Sequence, residues 1–71
     1  MKKNILILGA SGQLGKFFIQ KLIENNNNVI ATDINIYDSL VKKYNLKFLD
    51  ALNYNKVKKF INKYEIEEIY N

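Results

Sequence analysis

All three glycines of this 71-residue chain, Gly9, Gly12 and Gly15, fall within seven consecutive positions. They follow directly on an apolar run, Ile5-Leu6-Ile7-Leu8, and lead into a stretch where Leu14, Phe18 and Leu22 recur every four residues. A short continuous apolar run ending in glycine reads as a strand, Asn4 to Leu8, buried on both faces. Recurrence every four residues, widened by Phe17, Ile19 and Ile23, reads as a helix with one apolar face from Gln13 to about Glu24. A strand buried on both faces needs helices on each side of its sheet, so the chain is expected to be α/β.

The same unit repeats without further glycine. Asn25 to Asn28 closes the first helix, because Asn favours turns and tolerates left-handed backbone. Val29-Ile30-Ala31-Thr32 is a second strand, ending at Asp33. Tyr37, Leu40, Val41 and Tyr44 are spaced by three and four and predict a short helix. Leu46 to Leu49 is a third strand, ending at Asp50. Val57, Phe60, Ile61 and Tyr64 predict a helix over Asn53 to Tyr64 with Asn53 as its N-cap, and Ile66 to Tyr70 a fourth strand. Parallel neighbours need a crossover helix, and crossovers are right-handed. The expected architecture is therefore β-α-β-α-β-α-β, a partial Rossmann (doubly wound) fold with a parallel sheet in the order 3-2-1-4.

The residue inventory narrows the chemistry. There is no His and no Cys, which excludes within these residues a Ser-His-Asp triad, a Cys nucleophile, a disulfide and the usual zinc ligand sets. Four apolar residues after Met1-Lys2-Lys3-Asn4 are too few for a signal peptide, and no run approaches the ~18 of a membrane span. The expected setting is cytoplasmic, with no membrane contact. The net charge is +4, yet all 11 basic residues are Lys. Arg supplies most bidentate recognition of bases and phosphates, so the Lys56, Lys58, Lys59 and Lys63 face of the last helix reads as a solvated surface rather than a nucleic-acid or membrane surface.

The spacing Gly9-Ala10-Ser11-Gly12-Gln13-Leu14-Gly15, placed between a strand and a helix, is the setting of a phosphate-binding loop. Gly9 permits the tight turn, Gly12 lets a pyrophosphate approach the backbone, and Gly15 lets the helix pack closely. The helix N-terminus offers N–H groups and a positive dipole, and Ser11 is expected to add a hydroxyl donor. The pattern is G-x-x-G-x-x-G, without the Gly-Lys-Ser/Thr of a P-loop. Asp33 lies 18 residues past Gly15, at the end of the second strand. A carboxylate there accepts from the adenosine ribose hydroxyls and repels the extra phosphate of NADP, the alternative being a helix cap or turn residue, since Asp is common after strands. The expected cofactor is NAD, a preference that Lys42 or Lys43 would weaken by folding back. Asp50 ends the third strand in the same way. It reads either as an acceptor for the adenine amino group, with Ala51 beside it, or as a cap of the helix that follows.

These residues resemble the start of an extended short-chain dehydrogenase/reductase, the family of nucleotide-sugar epimerases and dehydratases. Within it, Gly12-Gln13-Leu14-Gly15, Asn28 to Ile34, Phe48 to Leu52 and Ile66 to Tyr70 are similar to the short-chain type of L-threonine 3-dehydrogenase. The glycine loop also resembles that of dTDP-4-dehydrorhamnose reductases. Leu8 is a departure, since many relatives carry Thr before the first glycine. The resemblance implies that Gly9, Gly12, Gln13, Leu14 and Gly15 hold the pyrophosphate side of NAD. It implies that Asp33, Ile34, Asp50 and Ala51 contact the adenosine. The implied reaction is hydride transfer from L-threonine to NAD, giving 2-amino-3-ketobutyrate.

The family's catalytic Tyr-x-x-x-Lys is expected later than these residues. Tyr54 to Lys58 matches the spacing but sits in the helix between strands three and four, and reads as a chance match in a chain rich in Lys and Tyr. Six strands with their crossovers need about 150 residues, so residues 1–71 are expected to be the N-terminal part of an NAD(P)-binding domain, truncated in the fourth strand. Catalytic groups and a small-molecule substrate site would lie in a missing C-terminal part of an enzyme expected to be a homodimer. A non-catalytic nucleotide-binding module is the alternative of another class.

Overall fold

The computed structural model describes residues 2–71. Its elements are β1 (Asn4–Leu8), α1 (Gln13–Glu24), β2 (Asn28–Asp33), α2 (Asp38–Tyr44), β3 (Lys47–Phe48), α3 (Tyr54–Lys63) and β4 (Glu68–Tyr70). All strand pairings are parallel, in the order β3-β2-β1-β4. This is the expected partial Rossmann fold, with β1 and β2 in register from Asn4 opposite Asn28 to Leu8 opposite Thr32.

Alternate side chains of β1 enter two separate cores, as a pleated strand requires. Ile5 and Ile7 pack with Ala31, Ile19 of α1 and Leu40 of α2. Leu6 and Leu8 pack on the other face with Leu49 and with Val57, Phe60 and Ile61 of α3. Helices α1 and α2 therefore cover one face and α3 the other. The coverage is uneven, for α1 and α2 each contribute one buried side chain while α3 contributes none. Among the described residues, no helix is long and apolar enough to cross a membrane.

Element boundaries depart from the sequence expectation at the sheet margins. Strand β3 is two residues rather than four, because only Thr32 and Asp33 of β2 lie opposite it. Strand β4 starts at Glu68 rather than Ile66, after Glu65 turns the backbone left-handed at φ 52°. Asn53 caps α3 as expected, its Oδ1 accepting from the Lys56 N–H at 3.3 Å. The Asn run is not merely a loop. Asn26 takes the left-handed turn, Asn28 already belongs to β2, and Asn27 joins two elements. The Asn27 Oδ1 accepts from the Lys3 N–H at 3.2 Å while its Nδ2 donates to the Leu22 carbonyl at the end of α1, at 3.1 Å.

Candidate functional site

The glycine loop leaves the C-terminal end of β1, and its three glycines exist for three different physical reasons. Gly9 has φ +76°, a left-handed conformation that turns the chain out of the strand and strains any L side chain. A Cβ on Gly15 would sit 2.6 Å from the Ala10 carbonyl oxygen, so only glycine lets α1 approach the loop this closely. Gly12 has neither excuse. Its φ is an ordinary −76°, and a Cβ there would meet no protein atom within 4 Å. Gly12 is also the N-cap of α1, where Ser, Asp or Asn would satisfy a first-turn N–H. It supplies no such cap, so the N–H groups of the first turn stay free for an anion from outside the protein.

Asp33 stands opposite the loop at the end of β2, 8% exposed. Its Oδ2 accepts from the Ser11 N–H at 2.9 Å and its Oδ1 from the Asn35 N–H, also at 2.9 Å. Burial pushes the Asp33 carboxyl up, but hydrogen bonds from the Asn35 and Ser11 N–H groups, joined by the Ser11 side chain and the Ile34 N–H, together outweigh burial and hold it below its ordinary value. The Ser11 hydroxyl donates to the Asn35 carbonyl at 2.6 Å. In this arrangement the single hydroxyl proton goes to a backbone carbonyl of the β2–α2 loop. Thr32, fully buried beside Asp33, donates its hydroxyl to the Ile7 carbonyl at 2.7 Å, tying β2 to β1 just before the loop.

Two clefts flank the loop and share Gly9. One, of about 310 Å³, brings together Asp33, Ile34, Asp50, Ala51 and Leu52 at the ends of β2 and β3. The other, of about 220 Å³, lies between β1, β4 and α1 and is lined by Leu8, Leu14, Gly15, Phe18 and Tyr70. Ser11 and Gln13 line neither. Ser11 faces a cleft with Lys16, Tyr37 and Ser39, and Gln13 faces an open groove between α1 and α2. That groove is larger, about 400 Å³, but it is lined only by residues of α1 and α2 and by none of the sheet. The Asp50 Oδ1 accepts from the Leu52 N–H at 2.9 Å, a local turn that leaves the capping of α3 to Asn53. Tyr54 is 72% exposed in the first turn of α3, and neither it nor Lys58 lines either cleft beside the loop.

The two clefts meet at Gly9, and the smaller reaches Leu14 and Gly15 in the first turn of α1, an arrangement with room for an elongated ligand that has a group at each end. The acid beside the larger cleft fits hydroxyl groups on the end that enters there. Sequence reasoning found the acid and the glycines but missed Asn35 and Thr32. Their roles depend on backbone groups brought close by folding, and neither residue carries a motif.

No individual curated protein matches the chain. A sequence model of a family described as NAD dependent epimerase/dehydratase matches residues 5–71, from β1 through the glycine loop to β4. Since that match spans nearly the whole chain, the glycine loop and the acid at the end of β2 included, the chain belongs to the NAD dependent epimerase/dehydratase family.

Proposed function

We propose that the chain binds NAD across the C-terminal edge of its sheet and forms the cofactor-binding part of an oxidoreductase. The observation that carries this reading is Gly12, a glycine that neither its backbone angles nor its protein neighbours require. In this reading the first-turn N–H groups of α1 hold the pyrophosphate, and Gly12 leaves it room. Asp33, Ile34, Asp50 and Ala51 hold the adenosine in the larger cleft, and the apolar cleft beside Leu14 and Phe18 receives the other end. The Asp33 carboxylate, held ionised by its N–H donors, disfavours a phosphate on the ribose and so favours NAD over NADP. Bound NAD supplies a hydride acceptor. These residues bind and orient it, and the groups that move the substrate proton come from outside residues 1–71.

For the substrate, the reading is L-threonine, oxidised to 2-amino-3-ketobutyrate by a homodimeric L-threonine 3-dehydrogenase. Its support is the similarity of the segments around Asp33, Asp50 and Ile69 to that enzyme. A nucleotide sugar is the second reading, favoured by the description of the matching family.

Calorimetric titration with NAD and with NADP tests the cofactor assignment. Asp33→Ala should weaken NAD and narrow its advantage over NADP, and unchanged affinity and preference would sink it. Threonine-dependent reduction of NAD by the protein carrying this sequence tests the substrate. Turnover of a nucleotide sugar with none of threonine favours the second reading.

A further inference from the structure

We propose that Asp33 is a positioning residue for the glycine loop, clasping it to the β2–α2 loop before any dinucleotide arrives, in addition to any contact with ribose. The inference rests on the NAD-binding reading above, and it assigns Asp33 work that does not depend on ligand hydroxyls.

Three hydrogen bonds make the clasp. Ser11 N–H donates to Asp33 Oδ2 at 2.9 Å, Asn35 N–H donates to Asp33 Oδ1 at 2.9 Å, and Ser11 Oγ donates to the Asn35 carbonyl at 2.6 Å. Each carboxylate oxygen is thus occupied by a different loop. The charge is met by these N–H groups, for among the described residues the ion pair present is Lys3 with Glu68, far along the sheet from this edge. Ser11 lies between Gly9 and Gly12, the two residues least able to fix the loop by themselves. A loop that must aim free N–H groups at an anion binds well only when its conformation is set beforehand. Gly9 at φ +76° and the uncapped start of α1 provide no such restraint; the Ala10 N–H ties the root of the loop to the Thr32 carbonyl at 2.9 Å, and the tie to Asp33 carries the restraint on to Ser11.

The test compares the chain with Asp33→Asn, Ser11→Ala and Ser11→Thr. Without ligand, amide hydrogen exchange is read at Ser11 and Asn35. With ligand, affinity is read for NAD and for an NAD analogue lacking both hydroxyls of the adenosine ribose. Asn replaces one acceptor oxygen by an NH2 group and so opens one side of the clasp. Asp33→Asn should speed exchange at one or both amides and weaken the analogue about tenfold, the scale of one charge-assisted hydrogen bond. Ser11→Ala should weaken NAD and the analogue alike, with Ser11→Thr restoring both. Unchanged exchange, or a loss of affinity for NAD with none for the analogue, overturns the clasp and leaves the cofactor reading standing. If the unaltered chain binds neither ligand, the cofactor reading falls and the positioning role with it. If Asp33→Asn does not fold, the Ser11 pair decides, and equal affinities for Ala and Thr overturn the proposal.

Discussion

The Ser11 N–H and the Asp33 Oδ2, 22 residues apart in sequence, meet at 2.9 Å where the glycine loop passes the end of β2. This contact makes the acid part of the loop's own structure. It also explains how a carboxylate only 8% exposed remains ionised without a cationic partner. Oriented hydrogen-bond donors, the Asn35 and Ser11 N–H groups foremost, replace the hydration that burial removes.

The lowered Asp33 pKa has a defined consequence for stability. Above the ordinary value of 3.8 the carboxyl is ionised both folded and unfolded, and its contribution is complete. As pH falls below that value the unfolded chain takes up its proton first, so stability drops until the folded carboxyl also protonates. Urea unfolding from pH about 6 to about 2.5 should show this loss, and Asp33→Asn should flatten it. An unaltered slope in the variant would contradict the assignment.

The glycines should separate in their mutational effects. Gly15→Ala drives a Cβ into the Ala10 backbone, 2.6 Å from its carbonyl oxygen, and should cost about 1–3 kcal/mol of stability. Gly12→Ser meets no protein atom and gains a capping hydroxyl, so it should leave stability unchanged or raise it by about 0.3 kcal/mol. Yet Gly12→Ser should weaken NAD strongly, because its side chain fills the space left for the ligand. Thermal melts paired with NAD titration check both outcomes, and a Gly12→Ser variant that binds normally would count against the site.

Two polar side chains should matter to the fold alone. Thr32→Val keeps the shape but removes the buried donor to the Ile7 carbonyl, and should cost about 1 kcal/mol. Asn53→Ala removes the N-cap of α3 and should cost about 1 kcal/mol. Denaturant titrations should show lower midpoints for both, with unchanged slope.

The 71-residue chain should be weakly stable and prone to self-association. Phe17 is 48% exposed, Leu14 68% and Leu52 79%, and α3 buries no side chain fully. Exposed apolar surface of this kind favours contact between copies. Sedimentation velocity over a range of concentrations should show association, whereas a sharply melting, concentration-independent monomer would refute this.

Much of the molecule was legible before folding was considered. The apolar run Ile5 to Leu8, the four-residue recurrence through Leu14, Phe18 and Leu22, and the spacing of Val57, Phe60 and Ile61 record which surfaces must leave water. That periodicity sets element type and, with right-handed crossovers, the sheet order. The candidate site was legible where chemistry is carried by residue type, as at Gly9, Gly12, Gly15 and Asp33.

The tertiary structure decided the partners. Ser11 shows the difference, for its hydroxyl reads in sequence as a free donor and folding gives its proton to Asn35. Asn27 reads as loop and instead joins the end of α1 to the start of β1. Strand β3 stops at two residues because pairing depends on how far β2 extends beside it, not on the apolar content of Leu46 to Leu49. Periodicity is a local property, written into consecutive residues. Hydrogen-bond partnership across 22 residues depends on distances and angles that arise only when the crossover closes.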